Sequence, residues 1–330
     1  MRKTLFLLIA MSAVAWVGCG DDGGGDPADP VDARPPDASP ADAAPPDAEP
    51  IDAAPPDAAP LATIGGDRPA PLFVPSSYDG QTPAPLLIML HGYTASGPTV
   101  EDILQITAEA EARGFLYTYP DGTRDPSNAR FWNATDACCD FADSAIDDVA
   151  YLRGLIDEVK ANYAVDEQRV FLVGHSNGGF MSHRMACDAA EVIAAIVSVA
   201  GAQYDDPTNC EPSEPVAVLQ IHGTADDVIL YEGGAIPLST TYPGAVETVE
   251  TWATLGGCDL TATAGSERLD LDAEVEGDDT DVAIYNTACD PGGHAELWTT
   301  TDGPHVPRIT DDFVPAVFDF LMAHPKPAAD

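Results

Sequence analysis

The chain has 330 residues, with 14 Lys and Arg against 55 Asp and Glu and a formal net charge of −41. That length buries a substantial core in one large domain or two smaller ones. The charge repels phosphate backbones and anionic lipid, which excludes nucleic acid as a partner and leaves neutral substrates untouched.

Arg2 and Lys3 precede an apolar run, Leu5 to Val17, too short to span a bilayer comfortably, that stops at Gly18-Cys19. Residues 1–18 therefore read as an export signal. Gly18 before Cys19 resembles a bacterial lipobox, in which the cysteine is lipidated and becomes the mature N-terminus. Trp16 departs from the usual aliphatic residue there, so ordinary secretion is the alternative. On this reading the only membrane contact is through a lipid on Cys19. Residues 19–60 then read as a stalk: "PPDA" recurs from Pro35, Pro45 and Pro55, large apolar residues are nearly absent, and the aspartates repel one another. Such a segment cannot bury enough surface to offset its ordering entropy, and its prolines favour solvated polyproline II.

From Leu61 onward the pattern is that of one domain, residues 61–330. Strand-like apolar runs are expected at Leu86–Leu90, Phe115–Tyr119, Val170–Val173, Ile193–Val199, Val216–Ile221, Val282–Tyr285 and Glu296–Thr299. Helical patterns fall at Thr99–Arg113, Ile146–Tyr163, Gly178–Asp188, Ala245–Leu255 and Asp312–Ala323. Near-continuous apolar strands alternating with amphipathic helices predict an α/β fold with a mostly parallel sheet. In such sheets ligands sit beyond the carboxyl ends of the strands.

One strand runs into "VGHSNGGF" and then into a helix. Strand, sharp turn and helix are the context a G-x-S-x-G elbow requires, with Ser176 exposed at its tip. A serine hydroxyl needs a base to take its proton and a carboxylate to hold that base in the right tautomer. "LQIHGTADD" places Asp226 just past the end of a later strand, with Asp227 as competitor. Of the histidines after Ser176, His222 precedes the acid, His294 opens a strand and His324 lies in the terminal "FLMAHPKP"; His305, in the Gly/Pro loop "TTDGPHVP", is the expected base. The amides of Tyr93 and Asn177 are the expected oxyanion donors. His91 and His175 read as braces for their turns. Among the aromatic residues expected near the mouth, Trp132 and Tyr231 are candidates for substrate binding, with ordinary packing as the alternative; Trp252 reads as packing.

Together with "LLIMLHGY", "YPDG", "WNATDACCD", "AIDDVAYLRGLIDEV", "IHGTADDVILYEGG", "TWATLGGC" and "ELWTTTDGPH", these motifs resemble the polyhydroxybutyrate depolymerase and feruloyl esterase group of secreted α/β-hydrolases, related to carbohydrate esterase family 1. The resemblance covers essentially Leu61 to His324. It implies an α/β-hydrolase fold, with helices on both faces of the sheet, and assigns the nucleophile to Ser176, the acid to Asp226 and the base to His305. Here "GPHVP" stands where "GGHxWP" is commoner, so the tryptophan that usually follows the histidine is missing from the pocket wall.

Six cysteines follow Cys19, an even number that suggests disulfides in an exported chain. Cys258 and Cys289 resemble a family pair; Cys138 and Cys139 would then pair with Cys187 and Cys210, in an order left open. His183 and Cys187 are spaced i, i+4 on a helix, but no C-x-x-C accompanies them, so no metal is expected. "LDLDAEVEGDDTD" lacks the glycine of an EF-hand loop and reads instead as a strand, Leu269–Val275, followed by a turn. Asp147 and Asp148 open a helix, where negative charge is favourable. The sequence thus predicts a monomeric, extracellular, cofactor-free serine hydrolase of carboxylic esters, feruloyl or acetyl esters of plant polysaccharide or polyhydroxyalkanoate. A non-catalytic surface protein that binds polymer and a peptidase on the same scaffold are the alternatives.

Overall fold

The computed structural model describes residues 62–236 and 240–328. The expected export signal, Cys19 and the stalk lie outside the described residues. In chain order the strands are β1 Ala62–Ile64, β2 Ala70–Phe73, β3 Ala84–Leu90, β4 Leu116–Thr118, β5 Thr123–Arg124, β6 Arg130–Phe131, β7 Val165–His175, β8 Ala195–Val199, β9 Ala217–Gly223, β10 Gly233–Ala235, β11 Thr241–Pro243, β12 Thr263–Ala264, β13 Thr280–Tyr285 and β14 His294–Thr300. The helices are α1 Gly97–Leu104, α2 Ile106–Arg113, α3 Asp148–Asn162, α4 Asn177–Asp188, α5 Ala245–Leu255 and α6 Phe313–Ala323.

Ten strands form one sheet in the order β1-β2-β4-β3-β7-β8-β9-β14-β13-β12. From β4 to β14 all neighbours are parallel, and the outer strands add on antiparallel at both edges. The parallel strands are apolar on both faces because helices cover both. Along β3, Leu86, Ile88 and Leu90 join one core with α3, α4 and α5, while Leu87 and Met89 join the other with α1, α2 and α6. Phe318 of α6 packs edge-on against Phe115, 4.8 Å between ring centres. This is the α/β-hydrolase architecture. No helix among the described residues is long and apolar enough to cross a membrane.

Two expected elements differ. The helix expected over Thr99–Arg113 is broken in two at Gln105, whose φ of 51° ends α1, with its N–H donating to Glu101 O. The Glu101 carboxylate then accepts from Thr107 N, which caps the start of α2. The strand expected over Leu269–Val275 is a loop with isolated bridges at Leu269 and Asp272. Its backbone is organised by the buried Asp279 carboxylate, which accepts from Leu271 N and Asp272 N, so local side-chain bonding replaces a strand ladder. The opening of α3 is as expected: Asp147 caps Ala150 N at 2.8 Å, and buried Asp148 pairs with Arg68 at 2.6 Å.

The cysteines pair as Cys187–Cys210, Cys258–Cys289 and Cys138–Cys139. The second matches the family-like pair. The expected crossing of Cys138 and Cys139 with Cys187 and Cys210 is corrected. The end of α4 brings Cys187 to a Cα separation of 5.0 Å from Cys210, within bridging range. That leaves the two adjacent cysteines only each other. With its sulfur committed, Cys187 is no partner for His183 in a metal site.

Candidate active site

The site begins with a close approach. A Cβ on Gly174 would lie 2.0 Å from Gly178 O, and one on Gly178 would lie 2.1 Å from Leu90 O, so β7, the first turn of α4 and β3 meet backbone to backbone. Between these glycines Ser176 adopts φ 54°, ψ −120°, a conformation costly for a residue with a side chain. It is held by its own N–H donating to Val199 O at 2.8 Å, and its hydroxyl stands at the carboxyl edge of the sheet.

Two later loops reach the same edge. Thr224 N donates to Thr300 O, Ala225 N to Gly303 O and Asp302 N to Thr224 Oγ1, which fastens the loop after β9 to the loop after β14. His305 Nε2 lies 2.9 Å from Ser176 Oγ, and His305 Nδ1 lies 2.8 Å from Asp226 Oδ2. Asp226 is buried, whereas Asp227 beside it is exposed. Burial alone would raise the Asp226 pKa. Hydrogen bonds from His222 and His305, the His305 charge and the Val228 N–H outweigh it and hold the carboxyl well below the usual carboxylate range. As an ionised acceptor, Asp226 fixes the proton of neutral His305 on Nδ1, which leaves Nε2 free to accept from the serine hydroxyl.

Behind this trio runs a buried polar row that the sequence reading did not include. Trp252 Nε1 donates to His183 Nδ1 at 2.9 Å, so His183 carries its proton on Nε2, 3.1 Å from Gln220 Oε1. Gln220 Nε2 donates to Gly201 O and to His222 Nδ1. His222 Nε2 is 2.8 Å from Ile229 O and 3.3 Å from Asp226 Oδ2. The signal for it lay in β9: Gln220 and His222 are polar residues two apart, hence on one face, in an otherwise apolar strand.

The turn after β3 closes the other side. A Cβ on Gly92 would lie 3.3 Å from Ser176 Cβ, so the Gly92–Tyr93 peptide abuts the serine. Among the described residues, neither the Tyr93 nor the Asn177 main-chain N–H donates to a backbone acceptor. His91 braces this turn, with Nδ1 donating to Gly92 O and Nε2 accepting from Gly122 N. His175 donates from Nε2 to His305 O at 2.9 Å, supporting the loop from below. A cavity of about 200 Å³ opens beside Ser176, walled chiefly by apolar residues of α1 and of the His305 loop, among them Val100, Ile103, Leu104, Val306 and Pro307.

Neither aromatic candidate for substrate contact reaches that cavity. Trp132 is fully buried: its indole N–H donates to His91 O and its backbone exchanges two hydrogen bonds with the Asn177 side chain. It is a strut under the elbow. Tyr231 packs edge-on against His222 and its hydroxyl bonds Thr299 Oγ1, which puts it behind Asp226. Tyr93 does line the cavity, its ring edge-on to Phe141.

A family model described as "Esterase PHB depolymerase" matches residues 71–259, more than half of the chain. The chain belongs to the esterase PHB depolymerase family. It is 32% identical over 191 residues to feruloyl esterase B of Piromyces equi, a match covering 56% of this chain and 34% of that protein. It is 27% identical over 168 residues to the bifunctional acetylxylan esterase/xylanase XynS20E of Neocallimastix patriciarum, covering 51% and 23% respectively. The chain thus spans well under two thirds of the length of these relatives. The acetyl xylan esterase from Aspergillus awamori shares the fold, with a TM-score of 0.55 at 18% identity, over 79% of this chain and all of that one.

This family member carries an acid-sensitive core. Burial pushes His91, His175 and His183 down to about 4 from an ordinary 6.5, with the neighbouring His305 adding to the effect at His175. Between those values the unfolded chain binds the protons that the folded chain refuses, so stability is full above about pH 6.5 and falls as the pH drops toward 4. Urea unfolding across that range, compared with a His183→Gln variant, should show the wild type losing more stability on acidification than the variant.

Proposed function

We propose that the protein is an extracellular serine hydrolase of carboxylic esters, and the observation that carries this reading is the hydrogen-bonded Ser176, His305 and Asp226 in a strand-turn-helix elbow. His305 Nε2 takes the serine proton as Oγ attacks the ester carbonyl. The Tyr93 and Asn177 amides receive the developing oxyanion without reorganising. The tetrahedral intermediate collapses, His305 returns the proton to the departing alcohol, and an acyl-enzyme forms. Water, deprotonated by the same ring, then releases the acid.

The apolar wall around Ser176 favours an aromatic or aliphatic acyl group over a charged one, and the acidic surface repels anionic substrates. Feruloyl or acetyl esters of plant polysaccharide and polyhydroxyalkanoate fit both conditions, and the names of the relatives point the same way. The two disulfides between distant cysteines suit an oxidising compartment. The leader, a lipid on Cys19 and the acidic stalk would hold a monomeric catalytic domain out from the cell surface.

The test is a fluorophosphonate probe followed by peptide mass mapping. A phosphonylated Ser176 is the expected result. A folded wild-type protein that takes no label overturns the reading, as would amide cleavage faster than ester cleavage on matched substrates. A panel of methyl ferulate, acetylated xylan, hydroxybutyrate oligomers and nitrophenyl esters then ranks the acyl groups.

A further inference from the structure

Away from the serine, at the opposite edge of the sheet, His294, Glu296 and His324 converge so that one ligand atom from each lies within 4.8 Å of the others. His294 and Glu296 are two apart on β14 and share a face; His324 caps the last turn of α6. Thr300, at the far end of β14, pairs with Gly223 just before the Asp226 loop, whereas His294 pairs with Ala217 at the start of β9. Six residues of strand separate the two ends, roughly 20 Å. The cluster is therefore distinct from the serine site.

Two of the three members are already held as a ligand would be. His324 donates from Nδ1 to Phe320 O at 2.7 Å, which leaves the Nε2 lone pair open. Glu296 receives the Trp298 indole N–H on Oε2 at 2.8 Å, which turns Oε1 toward His294 Nε2 at 2.7 Å. Backbone carbonyls and indole donors that fix the tautomer of an imidazole or the lean of a carboxylate are the outer shell of metal sites. The rings of His294 and His324 lie 4.0 Å apart and Phe320 packs 4.5 Å from His324, so one side of the cluster is apolar, while His294 and His324 remain half-buried beside the buried Glu296.

We propose that His294, Glu296 and His324 bind one zinc ion, with water as the fourth ligand. Two imidazoles and a carboxylate supply three donors of the kind zinc takes, and the strongly negative protein favours a cation. Binding asks His294 only to carry its proton on Nδ1, so that Nε2 faces the ion. The ion ties the end of α6 to the start of β14, the last helix to the parallel sheet, and takes no part in ester hydrolysis. No spacing in the sequence marks this cluster, because His324 stands far along the chain from the His-x-Glu pair.

The test uses full-length protein freed of metal by chelation, titrated with zinc chloride and, for a spectroscopic readout, cobalt(II) chloride. One equivalent should bind, the cobalt form should show the visible bands of a four-coordinate ion, and the unfolding temperature should rise. His294→Ala and Glu296→Gln should each weaken binding by about tenfold or more and abolish the thermal shift. Nitrophenyl ester hydrolysis should be unchanged in both, which establishes that they are folded. The proposal is overturned if wild type binds no metal saturably, or if both folded variants bind as tightly as wild type. Loss of esterase activity from wild type itself would count against the proposed function and leave the metal titration to be judged on its own.

Discussion

Ser176→Ala should lower kcat for nitrophenyl ester hydrolysis by a factor on the order of 10⁶, the loss seen when a serine nucleophile is removed from an intact triad. The magnitude follows from what the alanine leaves behind. The turn still forms, since φ 54° is no harder for alanine than for serine, and the Gly92–Tyr93 peptide still abuts the site. Binding and oxyanion donors remain, but no oxygen is within reach of His305 Nε2. The variant should fold with a denaturation midpoint close to wild type, because only one partly exposed hydroxyl bond is lost. Retention of a hundredth or more of the wild-type rate would mean that another group attacks the ester, and the triad assignment would fall.

The second large effect is expected at Asp226. An asparagine there is nearly isosteric but turns an N–H toward His305 Nδ1, so the ring moves its proton to Nε2 and can no longer accept from the serine; a loss of about 10⁴-fold in kcat is the expected scale. Asp227→Asn is the control: exposed and one residue away, it should leave kcat within about twofold. If the two variants exchanged behaviour, the acid would be Asp227 and the buried carboxylate would be structural. The depressed pKa of Asp226 adds a pH dependence. The unfolded chain takes up a proton in the ordinary carboxylate range while the folded Asp226 does not, so its contribution to stability is complete above that range, falls progressively as the pH drops through it, and is gone once the pH is below the lowered value.

The convergence of Ser176, Asp226 and His305 was legible because each sits in a short polar or glycine-containing stretch directly after an apolar strand, and the carboxyl ends of parallel strands share one edge. Periodicity placed the sheet and most helices for the same reason, since two-sided burial writes unbroken apolar runs. What the sequence withheld depends on distant neighbours. Trp132 looked available because an indole in a loop has no periodic pattern to betray its burial; the cover comes from His91 and Asn177, far along the chain in both directions. The break at Gln105 was invisible because glutamine favours helix, and what holds the interruption is Glu101, whose carbonyl accepts from Gln105 N and whose carboxylate accepts from Thr107 N. Cysteine pairing depends on where the end of α4 meets the loop before β9, which no spacing encodes.

The buried row behind Asp226 has a polarity. From Trp252 through His183, Gln220 and His222, one donor at each link is directed on toward Asp226, with branches to Gly201 O and Ile229 O, and from the other side the Ser176 hydroxyl leads to His305 and His305 Nδ1 to the same carboxylate. Two lines of dipoles meet head-on at one carboxylate. Such a row cannot conduct: for a proton to leave Asp226 through the core, each link would have to give up the hydrogen it already directs there, and the far terminus is an indole that holds its own. On the proposed mechanism, a proton that His305 takes from the serine therefore has no route inward past Asp226 and stays on the cavity side of the ring, where the departing alcohol collects it.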